Sequence, residues 1–278
     1  MVPSLKRLEW LVPLVLLSSA GVARAQSETS LYSYDLRNTL FLSAESVYQA
    51  RTGAFRRGAE NLWVGYYFDA PLSLFLSVPF SQTYVRSDPS TGPSTTSYRL
   101  ERPQITGLWS LNLSSGTLKL GVTSSLPFTL RLDRTERGDL PRILDVSLAA
   151  AWTKVTDPIL WVTRLQATRS FPLNSWSGSA QIGGALSENI LFVVNESVNL
   201  SAGFGLGIAS GNPAIEQFFV TGGLNYLFSP RDELKVYFMN VYGGAQSLPG
   251  VGISYVRCLS FGEEPPPSTP IPPPKTPR

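Results

Sequence analysis

The sequence predicts an all-β fold: an up-and-down antiparallel transmembrane β-barrel of about twelve strands, with short periplasmic turns and longer outer loops. Three observations predict it. Apolar residues recur with a period of two, tight turns alternate with looser connections, and the chain is 43% hydrophobic but only 15% charged. An ordinary soluble domain carries roughly a quarter charged residues, enough to coat an exterior that this chain cannot coat. Six Trp, eleven Tyr and fourteen Phe exclude general disorder. After the N-terminus no apolar run approaches the ~20 residues of a spanning helix, so the hydrophobicity is distributed and not blocked.

Taken in chain order, the first element is a processing signal. Lys6 and Arg7 precede the apolar run from Leu11 to Ala20, and Ala23-Arg24-Ala25 supplies small residues at a cleavage position before Gln26. Residues 1–25 are therefore expected to be a signal peptide. They contain Lys6, Arg7, Arg24 and Glu9, and their removal lowers the net charge from +3 to +1. The apparent basicity belongs largely to the signal and does not indicate a nucleic-acid partner. Cys258 is the single cysteine, so no disulfide framework is expected.

The barrel is assigned to residues 26–261. Its clearest strand runs from Val198 to Ala209, where every even position is apolar and every odd one is Asn, Ser, Gly or Ala. The same parity recurs at Leu62–Phe68, Leu72–Phe80, Ile105–Leu113, Leu118–Val122, Leu144–Trp152, Phe218–Phe228, Leu234–Phe238 and Val251–Tyr255. Less regular stretches at 34–48, 159–169 and 176–194 complete twelve. Tight turns are expected at 69–71, 114–115, 157–158, 195–196 and 229–232, and longer connections near 50–59, 87–97, 127–142, 170–175, 210–214 and 243–249. An even strand number then places both chain ends on the short-turn side.

One strand face is Leu, Val, Ile and Phe; the other is Gly, Ser, Thr, Asn and Ala with scattered charges, and is assigned to the lumen. Tyr66, Phe68, Trp152, Trp161, Tyr226 and Phe228 fall beside short turns on the apolar parity, as an interfacial girdle requires. Phe80, Trp176, Phe218 and Tyr242 are candidates for the opposite girdle. Residues 251–261 put Tyr255, Leu259 and Phe261 on one parity, a C-terminal pattern that resembles the assembly signal of outer-membrane barrels, although the chain continues and Arg257 shares that parity. Residues 262–278 hold eight prolines in seventeen residues and are expected to be an extended, polyproline-like periplasmic tail.

Three strand-turn-strand units carry a family resemblance: Leu62 to Phe80, Asp145 to Trp152 followed by Asp157-Pro158, and Gly223 to Tyr237 followed by a final strand from Val251. These resemble the outer-membrane family of transporters of the phenol meta-degradation pathway, barrels of approximately twelve strands. Where that family has Gly-Asp entering the sixth strand, this chain has Leu144-Asp145, with Gly138-Asp139 earlier in the loop. The resemblance implies an outer-membrane channel or transporter for small molecules, hydrophobic ones among them.

If the parity holds, the lumen receives Arg37, Glu45, Lys119, Asp145, Arg164, Gln166 and Lys235. These form either a cation-rich constriction that selects solutes or a set of mutually satisfied ion pairs in a filled barrel. Small residues, among them Gly121, Ser201, Gly203, Gly205, Gly207, Gly223 and Gly252, are expected to clear space for a narrow polar passage. With no histidine in the chain, His-dependent acid–base catalysis and His-ligated zinc are excluded. An enzyme is not expected, and neither cofactor nor metal is implied. Expected partners are the lipid bilayer, lipopolysaccharide and the barrel-assembly machinery; the charged 131–139 loop is either simply solvated or a lipopolysaccharide contact, and residues 262–278 are either a linker or a contact to a cell-wall or periplasmic partner. The alternative to a channel is a barrel anchor whose loops or tail make the contacts.

Overall fold

The computed structural model describes residues 38–51, 55–69, 71–86, 94–131, 142–174, 180–210, 215–229, 231–243 and 246–261. The expected signal peptide, Arg37, Trp176 and the proline-rich tail lie outside the described residues.

Fourteen strand segments follow one another, and no helix interrupts them among the described residues. They are β1 (Thr39–Arg51), β2 (Phe55–Tyr67), β3 (Leu72–Arg86), β4 (Ser94–Leu100), β5 (Gln104–Leu113), β6 (Gly116–Ser125) and β7 (Leu130–Arg131). Then come β8 (Ile143–Thr156), β9 (Ile159–Pro172), β10 (Gln181–Val193), β11 (Val198–Ala209), β12 (Ile215–Ser229), β13 (Asp232–Gly243) and β14 (Gln246–Ser260). All pairings are antiparallel and, apart from those around β4 and β7, join sequence neighbours, and β14 returns to β1 over eleven registered pairs from Thr39/Ser260 to Gln49/Gly250. The sheet therefore closes on itself into a barrel.

Twelve positions around the wall account for fourteen segments. β4 and β5 both pair with β3, at Phe80–Arg86 and Leu72–Ser77, and are one barrel strand broken at 101–103. Pro103 has no N–H to give to a ladder, which explains a break at this place. The two-residue β7 pairs with β4 and continues the line of β6 past Pro127.

The first and last described residues meet at one end of the barrel, where the Phe261 N–H donates to the Asn38 carbonyl at 2.9 Å. The tight turns β2–β3, β5–β6, β8–β9, β10–β11 and β12–β13 share that end. The opposite end departs from strict alternation. Residues 52–54 and 244–245 are connections of three and two residues, because β1, β2, β13 and β14 extend into stretches read from sequence as loop.

Parity decides inside from outside, and it falls as the composition requires. Leu62, Leu74, Val122, Leu148, Leu165, Leu206, Val236 and Ile253 are exposed on the exterior. Their alternating partners Asn61, Ser73, Ser147, Asn225, Lys235 and Ser254 are buried within. Such an inversion of the soluble pattern is stable only where lipid covers the outer band. Near the tight turns, Tyr66 and Phe68 stack edge to face at 5.0 Å and Tyr226 and Phe228 at 4.9 Å, forming part of one girdle. Phe218 and Tyr242 pair at 6.0 Å toward the other end.

Candidate functional site: an asymmetric lumen

Twelve strands about 4.8 Å apart and tilted about 40° close on a backbone radius of about 12 Å, leaving room after two layers of side chains only where those side chains are small. The inner wall is accordingly of two kinds.

On β12–β14 and β1–β3 the interior is packed. Tyr237, Phe219, Met239, Val241 and Val47 form one buried cluster, and Phe41, Trp63, Phe75, Val256 and Cys258 form another, with Tyr67 and Leu108 against it. In the second, Phe41, Tyr67 and Phe75 meet edge to face at centroid distances of 5.3–6.4 Å. The uniformly polar lumen expected from sequence is thus corrected: aromatic residues share the inward parity here. They are accommodated by glycines. A Cβ on Gly65 would lie 2.1 Å from Phe75, one on Gly205 2.1 Å from Phe219, and one on Gly252 2.3 Å from Tyr237. The space cleared by Gly205 and Gly252 is therefore filled by rings from neighbouring strands.

On β6 and β8–β11 the wall is thinner, apart from a third buried cluster of Leu160, Val162 and Leu191 on β9 and β10 near the tight turns. Ala149, Gly183, Ala185, Ser201, Gly203 and Gly207 are only half-buried, so this side remains accessible. Along it runs a polar track on β9. The Arg164 guanidinium donates to Gln166 Oε1 at 3.4 Å, Gln166 Nε2 donates to Thr168 Oγ1 at 3.3 Å, and the Thr168 and Ser147 hydroxyls share a bond of 2.8 Å. Lys119 joins the same side: its partner on β8 is Ala151, whose partner on β9 is Arg164.

The six expected lumen residues that are described all carry the inward parity. Asp145 is held by Arg102 Nη1 at 2.5 Å and by the Ser170 hydroxyl at 2.6 Å, with its own N–H donating to Ser125. Glu45 accepts from the Tyr237 hydroxyl at 2.5 Å. Lys235 is buried on β13, with its ammonium 5.7 Å from the Tyr237 ring centroid. The structure therefore brings Glu45 and Lys235 to one side of the barrel and Lys119, Arg164 and Gln166 to the other, with Asp145 in an ion pair of its own.

Strand register also shows a polar row that sequence reading missed. Asn199, Asn225, Lys235, Ser254, Glu45 and Asn61 are successive cross-strand partners over six strands, all buried. Neither amide atom of Asn225 nor the Lys235 ammonium has a hydrogen-bond partner among the described residues. Arg57, Arg99, Glu101, Arg102 and Glu233 were likewise missed as lumen residues. The period-two signal was present for Arg57, two residues before Ala59 and four before Asn61, but it lay within a presumed loop.

Comparison with solved structures gives the architecture its context. The barrel superposes on an outer-membrane channel from Pseudomonas putida F1 with a TM-score of 0.62 at 15% identity, covering 81% of this chain and 97% of that one. It has the fold of outer-membrane β-barrels. The NanC porin matches with a TM-score of 0.53 at 10% identity over 78% of this chain and 98% of its own. The translocator domain of the autotransporter NalP from Neisseria meningitidis matches at 0.51 and 10% over 90% and 98%. No protein-family model matches the chain, and no curated protein matches it significantly. Among the described residues of this barrel, no three His, Cys, Asp or Glu side chains are grouped to hold a metal.

Proposed function

We propose that the protein is an outer-membrane channel or transporter for small molecules, whose route follows the thin-walled side of the lumen. The observation that carries this reading is the β9 track of Arg164, Gln166 and Thr168 beside the small residues of β8, β10 and β11. It offers successive hydrogen-bonding groups along one strand with no bulky side chain opposite them on the neighbouring strands. The aromatic cluster of Phe41, Trp63, Tyr67 and Phe75 gives the same interior an apolar wall and supports solutes with a hydrophobic part, in keeping with the family resemblance. The outer wall is proposed to contact lipid and lipopolysaccharide, and Tyr255, Leu259 and Phe261 to present the strand to the assembly machinery.

The test is conductance and solute flux of the purified mature barrel in planar bilayers and vesicles. Ala185→Trp, which fills the thin side, should reduce flux at least tenfold. Leu186→Trp, one residue away on the exterior, should leave it unchanged. A folded wild-type barrel that passes neither ions nor small solutes would refute the proposal.

A further inference from the structure

The outer half of the lumen holds a pair of arginines that the ion pairs described above do not use. Arg57 on β2 is 2% exposed and faces inward, opposite Thr83 on β3. Its Nε and Nη2 have no hydrogen-bond partner among the described residues. Arg99 lies on the other side of β3, opposite the buried Ser81, and its Nε is likewise enclosed and unpartnered. The charges acting on Arg57 are those of Glu101, which attracts, and Arg99, which repels. Glu101 is itself held by the Ser81 hydroxyl at 2.7 Å. Arg102, by contrast, is taken up by Asp145.

A buried guanidinium costs several kcal/mol unless its fork of N–H groups is met by acceptors. Two of the three Arg57 nitrogens meet none among the described residues, and one carboxylate, Glu101, is set against two guanidinium groups. Planar, bidentate acceptors suit such forks best, and carboxylates have that geometry. We propose that Arg57 and Arg99 form an anion subsite in the outer half of the lumen that binds the carboxylate of small organic acids. This deepens the channel reading, on which the subsite's place in a permeation route rests, but binding itself does not depend on transport.

Binding is therefore measured calorimetrically on the folded mature barrel in detergent at low chloride, with benzoate as the probe, benzamide as its uncharged counterpart, and inorganic phosphate as the competing anion. The expected result is saturable benzoate binding, at least tenfold weaker for benzamide, with phosphate displacing benzoate only at much higher concentration. Arg57→Gln and Arg99→Gln should each weaken benzoate at least tenfold. Arg56→Gln is the control, because Arg56 points outward over Tyr84, 5.9 Å from its ring centroid, and it should bind like wild type. Arg57→Lys keeps the charge but loses the fork. It serves where the Gln variant does not give a heat-modifiable, folded barrel, and should also weaken binding. Equal affinity for benzoate and benzamide, undiminished binding by folded Arg57→Gln or Arg57→Lys, or tighter binding of phosphate than benzoate would each overturn the proposal. Failure of conductance with retained, arginine-dependent benzoate binding would sink the channel reading alone.

Discussion

Tyr237 on β13 reaches across β14 to Glu45 on β1, donating its hydroxyl proton to Oε1 at 2.5 Å. The intervening strand permits this only because Gly252 stands beneath the ring: a Cβ there would lie 2.3 Å from Tyr237 Cζ. The bond thus depends on three strands. Its loss leaves a buried carboxylate without its donor, so Tyr237→Phe should destabilise the barrel by about 1–3 kcal/mol. Gly252→Ala should produce a similar loss by displacing the ring, and adding it to Tyr237→Phe should cost less than the sum of the two, because the sites share one interaction. Urea unfolding in lipid vesicles measures all three variants.

The Arg102–Asp145 pair makes a second, independent prediction. Arg102 crosses from the break between β4 and β5 to β8, and it also donates to the Ile143 carbonyl at 3.2 Å. Arg102→Met leaves the buried Asp145 carboxylate with only the Ser170 hydroxyl among its described partners, and should cost about 3–5 kcal/mol. The double variant Arg102→Met/Asp145→Leu should recover much of that loss. A recovery of nothing would show that Arg102 acts through packing and not through charge.

Channel selectivity gives the third. Arg164 is the charge at the foot of the β9 track, on the accessible side of the lumen. Arg164→Glu should shift the reversal potential in a salt gradient toward cations, whereas Lys235→Gln, on the packed side, should shift it less. Planar-bilayer recordings of the two variants under one gradient read the difference.

On the exterior, Glu188 interrupts the apolar band of β10. It stands between Thr163 and Phe204 in the register, and Thr163 donates its hydroxyl to both carboxylate oxygens at 2.8 and 2.9 Å. Acidic residues on a lipid face are tolerated at a cost below that of Arg or Lys, itself about 2–4 kcal/mol at the midplane. Glu188→Leu should therefore leave stability unchanged or raise it by up to about 2 kcal/mol, and leave conductance unaltered. Unfolding in vesicles and bilayer recordings check the two halves of this expectation.

The tail is the fifth case. Residues 262–278 follow a strand that is fully paired to β1 as far as Ser260. Truncation after Phe261 should preserve folding and conductance. Phe261→Ala in that truncated chain should slow assembly in cells, as read by the fraction of heat-modifiable barrel.

Fold class and strand number were legible because a period of two needs only local sequence. Leu200, Phe204 and Leu206 announce an outward face whatever strand lies beside them. The inward parity of Glu45, Lys119, Asp145, Arg164, Gln166 and Lys235 follows for the same reason. Partnership does not follow, because Tyr237 meets Glu45 across 192 residues and two strand boundaries. Nor could glycine spacing say that Phe219 and Tyr237 fill the places Gly205 and Gly252 leave, since that depends on register. Arg57 and Arg99 were hidden differently: the polar runs at 50–59 and 87–97 look like loops, yet Arg57 stands near the start of the ladder of β2, and Arg99, just past the second run, belongs to the short strand β4.

The notching of rings into glycines separates two properties that barrels usually tie together. Strand number fixes circumference, but here Phe75, Phe219 and Tyr237 fill part of the interior, each seated against a backbone notch and none needed to pair the strands. Aperture can consequently change by exchanging one ring for a smaller side chain while the hydrogen-bonded cylinder stays as it is. On the proposed channel reading, a single-residue step would then retune which solute sizes pass.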